Sequence, residues 1–496
     1  ATVNSDKPGI SQNSIAFGTD AKVKGGNSTA IGWLADTGDG VSMLAIGTGA
    51  STNNITAGAA NGESVALGTK AQAWGDQATA IGNNVKASGN SSIAIGGDDI
   101  DKIRNDPNHS NLYQTITGQA LPGGYPATES AGGASVAVGV GASSQGQFST
   151  AIGMTSSSSG NGAVAMGPTA NASGEAGVAI GIASQASAKK TTAVGSVAKA
   201  TGENATAIGG WANAANYNTT AIGSEAQAIA DYAQAMGYQS NASGYRSNAT
   251  GYNAKAKAQD AIAIGTETIS GNAGDFSTIA IGGLATAYGS GSGTQGGSGF
   301  AIAFGQNSHA GASGATALGS GAHAGATGYS TNPANMRVPT AYGATAIGND
   351  AFANGVSSVA IGGGNNTGNR DDDSSAQALG AQTIAIGRNA YVSETSSNGV
   401  AIGTSTKAAS GALALGGFSS ADHNSRAGKL GAQALGQDSI ALGGQSIAKE
   451  LESVAIGNRA QATKIHTTAI GAGTKADGDD ATAIGNNAQA IGMYST

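Results

Sequence analysis

The sequence predicts an all-β fold, a parallel solenoid of 14-residue turns that associates with other copies around an elongated shared core. Three observations lead to this prediction. Glycine contributes 83 of the 496 residues, against a usual fraction of about 7%. An Ala–apolar–Gly tripeptide recurs along nearly the whole chain, most often at intervals of 14 residues. Its apolar residues alternate in steps of two, as in Val136-Ala137-Val138, which is the period of a strand.

The repeat unit is seven residues long and occurs in pairs. From Gly139 to Gly265 a main glycine recurs every 14 residues, and only Thr250 departs from the apolar residue that precedes it. Further glycines, such as Gly146 and Gly160, lie halfway between. Each half is therefore expected to be a short strand followed by a corner, where glycine supplies a positive φ. The glycines assigned to structural turns are Gly139, Gly153, Gly167, Gly181, Gly195, Gly209, Gly223 and Gly237.

The period of seven is not explained by a coiled coil. A glycine in every heptad would cost a helix about 1 kcal/mol relative to alanine, and the apolar spacing is two, not three and four. Two strands per 14 residues, with turns stacked about 4.8 Å apart, would give a rod of roughly 140 Å. Such a turn of Ala, Ser and Gly encloses little volume. Apolar residues such as Ile180 are therefore expected to face an axis shared with other copies.

Interruptions of the repeat divide the chain. Repeats are expected over residues 1–96, 134–321 and 344–496, separated by insertions at 97–133 and 322–343. A Gly-rich interruption covers 288–299 within the second stretch. The last stretch also contains glycines seven residues apart, such as Gly380 and Gly387, which are interpreted as half-repeat phase slips.

Composition excludes several classes of protein and yields no catalytic residue, cofactor or metal ligand. The absence of cysteine excludes disulfides and thiol chemistry. The net charge is −7 with dispersed Lys and Arg, so no basic stripe is present for nucleic acid. No apolar run is long enough for a membrane-spanning helix, and the first nine residues lack the pattern of an export signal, which is therefore expected to be absent or already removed. The acidic stretch from Asp98 to Asp106 lacks the spacing of a calcium loop and is interpreted as solvated charge.

Candidate ligand contacts lie where aromatic and charged residues break the small-residue pattern. Two tyrosines fall in the 97–133 insertion, an arginine falls in the 322–343 insertion, and three tyrosines follow glycines at a spacing of seven. Exposed aromatic rings suit contacts with proteins or sugars. The alternatives are that the insertions are tolerated at solenoid corners and that the three rings pack at a junction between chains. The candidate residues are Tyr113, Tyr125, Tyr238, Tyr245, Tyr252 and Arg337.

Several repeats share a longer sequence pattern. The segments Asn13-Ser-Ile-Ala-Phe-Gly18, Ser358-Val-Ala-Ile-Gly362 and Glu452-Ser-Val-Ala-Ile-Gly457 resemble the NSVAIG-type head repeat of trimeric autotransporter adhesins, the YadA-like family. The resemblance covers about four-fifths of the chain, and the 14-residue spacing makes it specific. It implies a homotrimer of left-handed parallel β-rolls at the tip of a Gram-negative surface fibre, with no enzymatic activity.

The resemblance also implies a function. It predicts attachment to host cells, to matrix proteins such as collagen, fibronectin or laminin, or to abiotic surfaces, together with self-agglutination, as expected of a virulence or biofilm factor. Attachment to the outer membrane is expected through a C-terminal anchor, which is absent from this chain because it stops at Thr496 within the repeats. The alternative is a non-adhesive solenoid, such as a spacer, an ice-binding protein or a phage tail-fibre segment.

Overall fold

The computed structural model describes residues 1–3, 13–52, 62–272, 274–289, 299–325, 342–364, 375–417 and 430–496. They form two compact units, Ala1–Gln239 and Ser240–Thr496. Each unit is a parallel β-solenoid with two strands in most of its turns, and in two turns of the first unit a single bridging residue, Asp36 or Ser51, takes the place of the short strand. In residues 150–163, for example, the strand Thr150–Ile152 is followed by a first corner at 153–155. The strand Ser157–Ser158 is then followed by a second corner at 160–162.

Long strands, of three or four residues, stack on one another in each unit. Their register places alanine on alanine, as in Ala137 on Ala151 and Ala151 on Ala165. In the first unit they are Ile15–Phe17, Thr29–Ile31, Leu44–Ile46, Val65–Leu67, Thr79–Gly82, Ile93–Gly96, Val136–Val138, Thr150–Ile152, Val164–Met166, Val178–Ile180, Thr192–Val194, Thr206–Ile208, Thr220–Ile222 and Gln234–Met236. In the second they are Asn248–Thr250, Ile262–Ile264, Ile279–Ile281, Ile302–Phe304, Thr316–Leu318, Thr345–Ile347, Val359–Ile361, Ile384–Ile386, Val400–Ile402, Leu413–Leu415, Ile440–Leu442, Val454–Ile456, Thr468–Ile470 and Thr482–Ile484.

Short strands, of two residues, form the second sheet of each unit and pair only with one another. In the first unit they are Thr2–Val3, Lys22–Val23, Gln72–Ala73, Lys86–Ala87, Glu129–Ser130, Ser143–Ser144, Ser157–Ser158, Asn171–Ala172, Gln185–Ala186, Lys199–Ala200, Asn213–Ala214 and Gln227–Ala228. In the second they are Asn241–Ala242, Lys255–Ala256, Ile269–Ser270, Thr286–Ala287, His309–Ala310, His323–Ala324, Phe352–Ala353, Gln377–Ala378, Tyr391–Val392, Lys407–Ala408, Gln433–Ala434, Ile447–Ala448, Gln461–Ala462, Lys475–Ala476 and Gln489–Ala490. The predicted 14-residue, two-strand turn is confirmed.

The interior of each turn is filled by side chains no larger than a few atoms. Ala151 and Ala179 are fully buried at the centres of their long strands. Serine hydroxyls fill part of the same interior, where Ser144 and Ser149 are hydrogen-bonded at 2.6 Å and Ser158 donates to Ser144 at 3.1 Å. A single chain thus closes its own small core. Ile180, on the strand of Ala179, points out of that core and is half-buried.

The two corners use backbone conformation differently. The main glycine Gly153 has a φ of 128°, as predicted for a corner residue. The halfway glycine Gly160 does not have a positive φ. A Cβ there would lie 2.1 Å from the carbonyl oxygen of Gly174, so close approach of the backbone, and not φ, favours glycine in this turn, while Ala188 and Ala230 occupy the equivalent place in other turns. The left-handed residue of the second corner is Gly162, with a φ of 65°, and Thr155 takes the equivalent place at the first, with a φ of 50°.

Interruptions of the repeat lengthen corners and leave the sheets unbroken. The strand Ile384–Ile386 pairs directly with Val359–Ile361, although an interruption separates them in sequence. The interpretation of glycines seven residues apart as phase slips is wrong. Gly380 follows a short strand and Gly387 follows a long strand, so they are the two corner glycines of one ordinary turn.

Candidate functional site

The outer face of the long strands carries a row of apolar side chains. One residue on each side of the buried alanine points outward, and the second is aliphatic throughout the first unit's central turns. These side chains are substantially exposed in the single chain: Met166 at 41%, Ile208 at 39% and Ile222 at 39%. A long contiguous apolar row on a soluble surface indicates a contact with another protein surface. We call this surface the long-strand face.

The opposite face of the first unit has a different character. The outward residues of its successive short strands include Ser157, Asn171, Gln185 and Lys199, all of them polar. This surface can remain in water without cost. The solenoid of the first unit therefore has one face that favours burial and one that does not.

The insertion after Gly96 contains two helices that the sequence analysis did not predict. Helix α1 spans Asp101–Arg104 and helix α2 spans Pro107–Thr117. Common capping residues mark both ends of α2. At its start, Asp106 accepts a hydrogen bond from the Asn108 N–H at 2.9 Å and is followed by Pro107. At its end, Gly118 has a φ of 69°. The Asn108 N–H and His109 hold the pKa of Asp106 below its ordinary value.

Helix α2 lies against the first corners of the solenoid. The Tyr113 hydroxyl is 2.8 Å from the Thr169 hydroxyl, and the Tyr113 side chain is only 6% exposed. Further along these corners Val197 is 2% exposed, whereas Trp211, in the equivalent place beyond the end of the helix, is 47% exposed. The prediction of Tyr113 as a ligand contact is therefore wrong, because its ring is used to hold the insertion onto the repeats.

Tyr125 is the aromatic residue that this insertion presents to solvent, with 65% of its surface exposed. Three carboxylates surround it. The charge of Asp101 and a hydrogen bond to it, followed by the charges of Asp99 and Asp98, raise the pKa of the Tyr125 phenol. The exposed Tyr125 ring therefore lies beside a group of carboxylates.

Removing the Tyr113 ring is expected to release the insertion while leaving the repeats folded. Tyr113→Ala should cost about 3–5 kcal/mol of docking free energy through lost burial, and Tyr113→Phe about 1 kcal/mol through the lost hydrogen bond. In limited proteolysis followed by mass spectrometry, Tyr113→Ala should be cleaved within residues 97–128 earlier than Tyr113→Phe or the native protein. Equal protease resistance of the native protein and Tyr113→Ala would contradict this docking.

The remaining predicted residues lie at corners. Tyr238, at 43% exposed, and Tyr252, at 49%, each follow a long-strand glycine, and Tyr245, at 41%, follows a short strand. The Arg246 guanidinium lies 4.9 Å from the centre of the Tyr245 ring and pairs with Asp260. These rings are accessible in their units, and their role as ligand contacts stays a prediction. Arg337 lies outside the described residues.

The eight glycines assigned to structural turns all have positive φ, between 121° and 135°. They directly follow the aliphatic residue of the long strand. At Gly181 a Cβ would lie 2.6 Å from the carbonyl oxygen of Gly195. Both conformation and space thus restrict this position to glycine.

On part of the second unit, the outward side chains of the short strands form a ladder of rings and not the polar series seen in the first unit. The His309 ring lies 5.9 Å from that of His323 and 6.0 Å from that of Tyr288, centre to centre, and the His323 ring lies 5.8 Å from Phe352. His309 is only 9% exposed, and burial lowers its pKa to about 4. Burial, and then the charge of Asp275, raise the pKa of Tyr288. Burial of the His309 ring in this ladder therefore favours its neutral imidazole.

Acidification is expected to destabilise this ladder through His309. Its pKa is about 4 in the folded state and about 6.5 in an unfolded chain, so the unfolded state binds the proton first. The contribution of His309 to stability is complete above pH 6.5 and is lost between pH 6.5 and 4, at up to about 1.4 kcal/mol per pH unit. Urea unfolding at a series of pH values would show a shallower pH dependence for His309→Gln than for the native protein. Identical slopes would contradict the prediction.

Within the ranges that the structure describes, no three His, Asp or Glu side chains are grouped so that they could hold a metal ion. No helix in this part of the chain is long and apolar enough to cross a membrane.

The fold and its long-strand face define a repetitive β-solenoid of the kind used as an extended binding surface. The sequence matches the YadA head domain repeat in fourteen segments that cover more than half of the chain. These are residues 10–35, 59–84, 130–156, 158–181, 172–198, 200–226, 228–252, 242–268, 300–322, 340–365, 374–393, 434–460, 462–488 and 476–496. The chain therefore belongs to the YadA-like family of bacterial cell-surface adhesins and corresponds to the head region of that family. No curated protein sequence matches it.

Proposed function

We propose that this chain is the head of a trimeric autotransporter adhesin in which three copies associate through their long-strand faces. One observation carries the proposal: the aliphatic residue after each buried alanine of the first unit's central turns points outward in the single chain, half-buried at Ile180 and about two-fifths exposed at Ile208 and Ile222. Contact with two further copies would remove this row from water, at about 25 cal/mol for each Å² buried. The polar short-strand face of the first unit would then remain on the outside.

The assembly we propose is a homotrimer of left-handed β-rolls, held at the surface of a Gram-negative cell by an outer-membrane anchor outside this chain. Its head would attach to host matrix proteins such as collagen, fibronectin or laminin, or to abiotic surfaces, and would support self-agglutination. Tyr125, exposed within an acidic surface, is the described residue of the insertion best placed for contact with such a ligand.

The first test is the mass of the protein in solution, measured by light scattering after size exclusion. The expected value is about three times the chain mass of 47.4 kDa. A species of one chain mass would overturn the proposal, because the long-strand face would then be stable in water.

The second test is binding of the native protein to immobilised collagen, fibronectin and laminin. Deletion of residues 98–126 leaves Gly96, Gly97 and Ala127 before Thr128, the same corner length as 139–142. This variant should keep the native number of chains in the assembly, and Tyr125→Ala in the full chain is its matched partner. Loss of binding in both would assign binding to the insertion. Unchanged binding in both would move it to the repeats, and no binding by the native protein to any surface would contradict the adhesive role.

A further inference from the structure

Each long strand forms one rung of the long-strand face, and one of these rungs is polar at both outward positions. In the described part of the chain, all the remaining long strands have an apolar side chain after the central alanine. At Asn248–Thr250 the residues flanking buried Ala249 are asparagine and threonine, both half-buried. The Thr250 hydroxyl donates to Asn248 Oδ1 at 2.8 Å. The Asn248 amide nitrogen is then the donor that this rung presents to whatever covers it.

The neighbouring rungs of the second unit are entirely aliphatic. Asn248 is aligned with Ile262, and Thr250 with Ile264. The next strand along places Ile279 on Ile262 in the same columns. Hydrophobic contact is not directional. A face built only from such rungs would therefore contact another copy almost equally well after a shift of one whole turn.

We propose that Asn248 and Thr250 form a polar rung that fixes the alignment of the three copies along their shared axis. This inference rests on the proposed homotrimer. When the copies are aligned, the three amides and hydroxyls meet and can satisfy one another. After a shift of one turn, the Asn248 that moves to the Ile262 strand of another copy faces isoleucine and loses its partners, and an unsatisfied buried amide is costly. A single polar position in an otherwise apolar contact sets register in coiled coils by the same physics.

The experiment uses the absence of cysteine from the chain. Ile456 and Ile470 are outward residues on adjacent rungs, distant in sequence from the polar rung. Ile456→Cys and Ile470→Cys chains, carrying tags of different size, are mixed, unfolded, refolded together and oxidised. Aligned copies join chains of the same variant, whereas a one-turn shift joins an Ile456→Cys chain to an Ile470→Cys chain. The ratio of mixed to like cross-links, read on a non-reducing gel, reports the alignment.

Three backgrounds are compared. The native rung should give like cross-links. Asn248→Val with Thr250→Ile reproduces the Val178 and Ile180 pattern, so it should fold, and the mixed product should rise several-fold. Adding Ile262→Asn and Ile264→Thr moves the rung by one turn and should restore like cross-links. A native-rung Ile456→Cys chain refolded with a moved-rung Ile470→Cys chain should instead favour the mixed product.

The same samples separate this inference from the proposed function. A trimer mass with an unchanged cross-link ratio in every background would overturn the polar rung and leave the homotrimer standing. A mass of one chain would overturn the homotrimer itself. Circular dichroism verifies that each variant is folded before it is mixed.

Discussion

Gly160→Ala is expected to destabilise the first unit by about 1–3 kcal/mol, because the backbone of the next turn must shift to admit the new methyl group, although Ala188 and Ala230 occupy the equivalent place in other turns. A Cβ at Gly160 lies 2.1 Å from the Gly174 carbonyl oxygen and 2.5 Å from its carbon. Both atoms belong to backbone held in the next turn, so no side-chain rotation can relieve the contact. The two turns would have to separate at the second corner.

Gly162→Ala is the matched control, two residues away at the same corner. Gly162 has a φ of 65°, but nothing lies within 4 Å of its Cβ position. The equivalent residue of the next turn is Ala176, with a φ of 53°, so alanine is tolerated there. The expected cost is about 1 kcal/mol, the strain of a left-handed alanine. Urea unfolding of both variants gives the comparison, and equal losses of stability would show that close approach is not what restricts Gly160.

Ile180→Asp is expected to dissociate the proposed homotrimer completely. In the single chain this side chain is half-buried and points away from the alanine core, so an aspartate there would remain hydrated in a monomer. In a trimer joined by the long-strand faces, three carboxylates would lose their water near one axis, which neither pairing nor hydrogen bonding would offset. Light scattering should give the mass of one chain, 47.4 kDa.

Gln185→Asp introduces the same charge in the same turn, on the outward side of the short strand. This variant should retain the mass and the melting temperature of the native protein. If Ile180→Asp and Gln185→Asp both kept a trimer mass, the copies would associate through another surface. The proposal would then need a different face for the shared core.

The repeat made the solenoid predictable, because the same strand and corner signals recur in every turn. The direction in which each side chain points was harder to predict. Alternation shows that Ala179 and Ile180 face opposite sides of the strand. Only the width of the turn decides that the alanine methyl group points into the core and the isoleucine side chain points out of it. The halfway glycines were predicted at the correct place for the wrong reason. At Gly160 the restriction comes from the Gly174 carbonyl oxygen, an atom of a neighbouring turn.

The docked insertion was less accessible to sequence reasoning. The start and stop of α2 are written locally, in the Asp106-Pro107 pair and Gly118, and could have been recognised. The contact that fixes the helix in place joins Tyr113 to Thr169, 56 residues further along the chain. Nothing in the local sequence of either residue identifies that pair. An exposed tyrosine in a loop and a tyrosine holding a helix in place have the same sequence signature.

The alignment of alanine on alanine in successive turns has a consequence for how such a chain can change in length. Apart from the docked insertion, the long strand of each described turn pairs with that of the turn before and of the turn after, and it presents them with the same buried methyl groups and backbone hydrogen bonds. Duplication or loss of 14 residues would therefore replace every contact by an equivalent one. Selection can lengthen or shorten this protein by whole turns without redesigning its core. The polar rung at Asn248 would still align the copies of such a longer or shorter chain along their shared axis.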